Sequence, residues 1–351
     1  MIKIEQYYKI CNQKQLLQNK TFEKSIAPKI SIITPIYNRE KTLKRYLRSI
    51  QNQAFNDLEI ILINDLSEDN TSQEIELLKK EDERIILIQN KQRRGTLKSR
   101  NIGVLKSKGE FLLFVDPDDL ISENILNFCY IMAKRFDYDL IRYNLYMGNY
   151  LLNSPDIVNN IKNKPIYKTN IFSFLFYGFG RLFQLDYFIT NKLIKRNLYI
   201  KALNSINKYY LEQFMIDCED GLINFMLYKL SDSLYFTKKI GYFYIKTNTS
   251  ITHESIDFKN RLKSNFLYFR FVFQMTKNNN IEKNIANYIF SEIYNFREKT
   301  IIKLFQNLST DYSFYLETIN LYLGNDFIPL NSKRILKNLK NVILSRESSI
   351  Q

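Results

Sequence analysis

From Ile30 onward, short runs of strong hydrophobes alternate with longer amphipathic stretches. The runs from Ile30 to Pro35, Glu59 to Asp65, Ile85 to Gln89, Glu110 to Asp116 and Leu140 to Leu145 have strand length. Between them, residues 39–53, 69–81, 97–107 and 122–136 carry helical periodicity, with Leu43, Tyr46, Leu47 and Ile50 forming one apolar stripe. This alternation is the signature of βαβ units and predicts an α/β protein with a mostly parallel, Rossmann-like sheet flanked by helices. Residues 1–28 are polar and periodic, a helix or a loose leader, and receive no role. Past Met147, residues 148–168 are rich in Asn, Pro and Lys and read as a loop. Helical patterns follow at 172–177, 196–203 and 222–230, and strand patterns at 233–237 and 242–246. Beyond Asp257 the chain is a string of helical segments ending in the basic SKRILKNLKNVIL, which suits a helical cap on the core or a helix lying on a membrane surface. No internal repeat is evident.

A chain of 351 residues can bury a large core in one big domain or two smaller ones, and 45% hydrophobic with 25% charged residues describes a globular protein. Cys11, Cys129 and Cys218 are scattered, without CxxC or Cys/His spacing, which disfavours zinc and suits a reducing compartment. No stretch reaches the roughly 18–20 apolar residues of a membrane span, and the N-terminal residues lack a signal-peptide core, so the expectation is a cytoplasmic protein. The formal net charge of +15 favours anionic partners: a nucleotide diphosphate, an anionic membrane surface or nucleic acid. A solvated basic surface without specific use gives the same charge.

The most informative segment is GEFLLFVDPDDL, a buried strand ending in Asp116, Asp118 and Asp119. Open α/β sheets bind ligands outside the carboxyl ends of their strands, so these acids stand where chemistry is expected. Three carboxylates this close repel one another unless solvated or bridged by a cation, and Mg²⁺ or Mn²⁺ prefers such hard oxygen ligands. Pro and Asp also make ordinary polar turns. No Walker motif or GxGxxG follows the first strand, so nucleotide contacts must come from elsewhere. That strand exits through Thr34, Pro35, Ile36, Tyr37 and Asn38, where Tyr37 can stack on a base or the Pro and Asn can simply turn the chain. Asp65 ends the second strand and can accept from a base N–H or a ribose hydroxyl, whereas Asp69 is explained by capping the next helix. Arg93, Arg94, Lys98 and Arg100 then place cations beside the acidic strand end, where they can neutralise a diphosphate or merely decorate a helix.

The motifs SIITPIYN (31–38), INDLSEDNT (63–71), RRGTLKSRNIG (93–103) and FVDPDD (114–119), in this order and spacing, resemble family 2 glycosyltransferases of the GT-A fold. The likeness continues through TNKLIKRNL (190–198), CEDGL (218–222) and YFYIKTNTSIT (242–252), about two-thirds of the chain in all. The resemblance implies a GT-A domain over 29–256, with a nucleotide-sugar-binding half at 29–147 and an acceptor-side half at 148–256; the helical extension over 257–351 lies beyond it. It further implies transfer of a hexose or N-acetylhexosamine from a nucleotide-sugar, a UDP-sugar being favoured, to an unidentified glycan, lipid or protein acceptor. Thr34, Pro35, Tyr37, Asn38 and Asp65 would bind the donor with Lys98 and Arg100. Asp116, Asp118 and Asp119 would hold Mn²⁺ or Mg²⁺, Asp118 also touching the donor. Asp220 would be the base of an inverting reaction, and His253, the only histidine, would reach metal or diphosphate from a closing loop. The basic C-terminal stretch keeps peripheral membrane contact open, and no nucleic acid partner is expected. Two departures stand out: Lys246 where relatives often carry Arg, and Leu66 where they usually carry Gly. A nucleotidyltransferase making activated sugars, and a non-catalytic member that binds sugar or a partner, are the competing readings.

Overall fold

The computed structural model describes residues 27–147, 150–152, 166–167, 188–245, 258–276, 315–317, 319–320 and 330–350. Its first half runs β1 (Ile30–Ile36), α1 (Leu43–Gln51), β2 (Leu58–Asn64), α2 (Thr71–Glu81), β3 (Ile85–Gln89), α3 (Thr96–Lys106), β4 (Phe111–Phe114), β5 (Leu120–Ile121), α4 (Ile125–Phe136) and β6 (Leu140–Met147). The second half adds β7 (Tyr150–Leu152), β8 (Ile166–Tyr167), β9 (Lys192–Lys195), α5 (Arg196–Ser205), α6 (Lys208–Leu211), α7 (Glu219–Leu230), β10 (Ser233–Tyr244), α8 (Phe258–Thr276) and α9 (Leu330–Ile350).

One sheet joins the described strands in the order β3-β2-β1-β4-β9-β6-β10-β5, with β7 beside β6 and β8 beside β10. The first four strands of that order are parallel, the arrangement expected from the βαβ pattern. Every residue of β2 and β4 is buried, because helices cover both faces. Alternation along the strands then divides the core. Ile33, Ile61, Ile63, Leu112 and Phe114 pack on the side of α3, α5, α7 and α8. Ile30, Ile32, Ile60, Leu62, Phe111 and Leu113 pack with α1, α2 and α4. Each such side chain contributes about 1.5–3 kcal/mol by leaving water.

The second half departs from the expected layout. β9 runs antiparallel to both β4 and β6, so the nucleotide half and the acceptor half share one continuous sheet. The two strands expected at 233–237 and 242–246 are one strand, β10, whose pairing with β6 shifts register between Phe236 and Ile240 and again before Tyr242. The expected loop at 148–168 contains the short strands β7 and β8. The helix expected at 172–177 lies outside the described residues, as do most of the 1–28 leader, Lys246 and His253. On the basic C-terminal helix, Leu336, Leu339 and Ile343 are buried, so its apolar stripe is covered by protein.

Candidate active site

The site forms where β1, β2 and β4 end together. The exit of β1 is held by polar contacts. Thr34 is fully buried and its hydroxyl bonds that of Tyr46 on α1. Burial raises the Tyr46 phenol, which the Thr34 contact only partly offsets, so it stays a neutral hydrogen-bonding partner. Pro35 is part of β1 opposite Ile63, and Tyr37 follows with a half-buried ring. Asn38 takes a left-handed conformation (φ 51°), which Asn tolerates. Its backbone N–H donates to Ser67 Oγ at 3.0 Å and its side-chain oxygen accepts from the Glu68 N–H at 2.9 Å. Asn38 therefore ties the first strand-end loop to the second. That second loop turns at Leu66 with φ 64°, a left-handed conformation that suits glycine and strains a leucine.

Asp65 is 4% exposed and is the hub of the next loop. Its oxygens accept from Asn90 Nδ2 (2.8 Å) and from the backbone N–H groups of Arg94 and Gly95 (2.9 Å each). Arg93 Nε lies 3.5 Å from the same carboxylate, and the Arg93 guanidinium sits over the Tyr37 ring, 3.2 Å from its centroid. Gly95 has φ 80° and opens α3. Farther along α3, a Cβ at Gly103 would meet Ile33 and Ile63 at 2.6 and 2.9 Å, so the RNIG glycine lets the helix approach the sheet. That approach brings Arg100 to the strand ends. Lys98 instead pairs with Glu212 at 3.2 Å.

The three strand-end acids separate into different environments. Asp116 is the most open, with a third of its side chain exposed, and it accepts from Arg100 Nη2 at 2.9 Å. Asp118 is nearly buried; Arg39 stands 3.7 Å away and Arg45 donates to its backbone carbonyl at 2.9 Å. Burial raises the Asp118 carboxyl above its ordinary range, Asp116 adds to the rise, and Arg39 and Arg45 offset only part of it. Asp119, expected among the metal ligands, is 1% exposed and turned inward: one oxygen accepts the Tyr242 hydroxyl at 2.6 Å and the other the Ile245 N–H at 2.7 Å. The Tyr242 hydroxyl also accepts the Asp116 N–H at 3.2 Å. Asp119 thus fastens the acidic turn to β10. Among the described residues no three His, Cys, Asp or Glu side chains converge on a metal position. The donor set that remains is Asp116 with Asp118, two hard oxygen ligands whose repulsion Arg100 and Arg39 relieve only in part, which fits a cation completed by substrate phosphates better than an all-protein cage.

Replacing Tyr242 with Phe removes the hydroxyl that binds both Asp119 and the Asp116 backbone. The expected result is a loss of about 1–3 kcal/mol in a denaturant titration, together with reduced activity. Asp119→Ala is expected to cost at least as much, because it strands the Tyr242 and Ile245 donors. The turn's anchor therefore has to be read by stability as well as by rate.

Arg100 joins this turn to the acceptor half. It is 4% exposed and pairs with Asp116, with Asp220 on α7 and, at 3.9 Å, with Glu219. Burial alone would lower its affinity for the proton, but Asp220, Asp116 and Glu219 more than reverse that, and the guanidinium stays charged. Asp220 also accepts the Ile189 N–H at 3.1 Å. Its carboxyl is raised by burial and by Asp116, against the opposing pull of Arg100. Glu219, which the sequence offered only as a neighbour of Asp220, is pushed up to about 8 by burial and by Asp220. The residue before them, Cys218, is left-handed (φ 65°) and sets the direction in which α7 starts.

This geometry agrees with the comparisons. Residues 31–201 match the model of glycosyl transferase family 2. Over those residues the chain carries a family 2 domain. It is 31% identical over 121 residues to glycosyltransferase GlyG of Streptococcus pneumoniae, a match covering 34% of this chain and 38% of GlyG. It is 40% identical over 101 residues to the GalNAc(5)-diNAcBac-PP-undecaprenol beta-1,3-glucosyltransferase of Campylobacter jejuni, covering 28% of this chain and 33% of that protein. The matches thus span only about a third of these curated relatives. S. aureus TarS 1–349 shares the fold with a TM-score of 0.63 and 16% identity, over 92% of both chains. The same protein in complex with UDP-GlcNAc gives 0.62 and 18%. The expected GT-A fold is the fold this chain shares with TarS.

Proposed function

We propose that this chain transfers a hexose or N-acetylhexosamine from a UDP-sugar to a hydroxyl of a glycan, lipid or protein acceptor, with inversion at the anomeric carbon and with Mn²⁺ or Mg²⁺ bound. The observation that carries the proposal is the Arg100 bridge, which gathers a donor-side carboxylate, Asp116, and an acceptor-side carboxylate, Asp220, around one buried guanidinium. The UDP-GlcNAc complex of the fold neighbour TarS supports a UDP-sugar donor, and the glucosyltransferase named among the relatives supports hexose transfer.

In this reading, Tyr37 and Asp65 receive the nucleobase, and Thr34, Pro35 and Asn38 shape the pocket from β1. Asp116 and Asp118 hold the cation. Bound there, a divalent cation would supply positive charge against the diphosphate leaving group. Asp220 takes the proton from the acceptor hydroxyl, whose oxygen then bonds to the anomeric carbon from the face opposite the leaving group. Arg100 keeps Asp220 ionised and aimed, Glu219 supports it from the start of α7, and Lys98 holds the rim through Glu212. His253 remains a proposed contact to metal or diphosphate. Among the described residues no helix is long and apolar enough to cross a membrane, and the buried stripe of α9 gives no support to a membrane-lying tail.

The test is to incubate the protein with UDP-glucose, UDP-GlcNAc and UDP-GalNAc in the presence of Mn²⁺ and to follow UDP release, then read the anomeric configuration of the sugar product by NMR. UDP release with an inverted product supports the reading. Pyrophosphate formed from UTP and a sugar phosphate would favour a nucleotidyltransferase, and no turnover of any donor would favour a non-catalytic member.

A further inference from the structure

Resting on the reading of Tyr37 and Asp65 as the nucleobase pocket, we propose that Arg93 is an internal stand-in for the base, filling the base subsite in the donor-free protein and leaving it when the nucleotide enters. The guanidinium is planar and lies 3.2 Å from the centroid of the Tyr37 ring, the spacing at which a nucleobase would stack. Its Nε also faces Asp65 at 3.5 Å. A uracil needs the same two things, an aromatic face to lie on and an acceptor for its ring N–H. Asp65 has few positions left to offer, because Asn90, Arg94 and Gly95 already donate to its two oxygens. The place held by Arg93 Nε is therefore the one a base N–H would take.

The environment of Arg93 suits a residue that moves. Its side chain is 39% exposed, against 6% for the Asp65 side chain it faces. The backbone beneath is fixed, since the next two N–H groups are bound to Asp65, so the side chain can swing out without rearranging the loop. Both contacts that hold it are weak in the presence of water: a partly exposed cation–π contact and a long ion pair. The arrangement keeps the Tyr37 ring covered and Asp65 compensated until a nucleotide arrives, and it makes the nucleotide compete for its subsite.

UDP titrated calorimetrically into the wild type and Arg93→Ala tests this. Lys91→Ala removes another exposed cation of the same loop and serves as the charge control. Arg93→Ala is expected to bind UDP about three- to tenfold more tightly than Lys91→Ala. UDP binding by Arg93→Ala that is equal to or weaker than that of Lys91→Ala overturns the inference, because the arginine then either lies outside the subsite or assists the nucleotide. Tyr37→Ala separates this from failure of the pocket itself. If Tyr37→Ala weakens UDP binding and Arg93→Ala does not tighten it, only the stand-in falls. Unchanged binding in Tyr37→Ala removes the base pocket and the inference with it.

Discussion

Arg100→Ala is expected to be the most damaging single substitution in the site, costing about 3–5 kcal/mol of stability and all measurable transfer. The guanidinium is buried, and its removal leaves Asp116, Asp220 and Glu219 close together without their common cation. Burial and mutual repulsion already raise Asp220 and Glu219, and losing Arg100 raises them further. The sign follows from linkage. Acids whose folded affinity for protons exceeds the unfolded one lose stability as pH rises through their folded range. The deficit of Arg100→Ala should therefore widen from acidic to neutral pH, and melting curves across that range measure it. Arg100→Lys keeps one charge but lacks the planar fork that spans two carboxylates, so it should fall between the two proteins. A variant that melts with the wild type at every pH would mean that the bridge is not what holds these elements together.

Asp220→Asn is expected to lower kcat by about 10²–10⁴-fold while leaving donor affinity within about twofold, the pattern of a lost general base. The amide preserves size and can still accept the Ile189 N–H, and Arg100 keeps its pair with Asp116. The wild-type rate should also fall as pH drops through the Asp220 ionisation. Because burial raises that carboxyl, the acidic limb should lie above the range of an ordinary aspartate and disappear in the variant. A single-turnover assay paired with donor titration checks both parts. Unchanged turnover, or donor affinity lost in proportion to rate, would remove Asp220 from the base role.

The parallel half of the fold was legible because β1, β2 and β4 are covered on both faces and so appear as predominantly hydrophobic runs between amphipathic helices. β9 was hidden by its own composition. KLIK reads as polar, yet Lys192 is fully buried, with its ammonium bonded to the Phe188 carbonyl and to Asn191 Oδ1. β10 looked like two strands because exposed Lys238 and Lys239 interrupt it near the register shift. At the site, the acids after β4 announced themselves, since a buried run that stops at three aspartates is rare chemistry in a sheet. Which of them faces substrate was not readable. Asp118 and Asp119 are neighbours of the same type, and Asp119 is drawn inward by groups far away in the chain, the Tyr242 hydroxyl and the Ile245 N–H. The same holds for Arg100, whose position on α3 was visible but whose contact with Asp220 spans 120 residues. Glu219 carried no signal beyond its adjacency to Asp220.

The central claim is that a nucleotide-sugar binds at the strand-end carboxylates with a cation between Asp116 and Asp118. The most direct measurement is a calorimetric titration of UDP-sugars into the wild type and Asp118→Asn, each with Mn²⁺ and with EDTA. The account predicts saturable binding of at least one UDP-sugar by the wild type with Mn²⁺, weakened at least tenfold by EDTA and by Asp118→Asn alike. Binding of equal strength in all four titrations would contradict it, and the acids after β4 would then be no more than a turn.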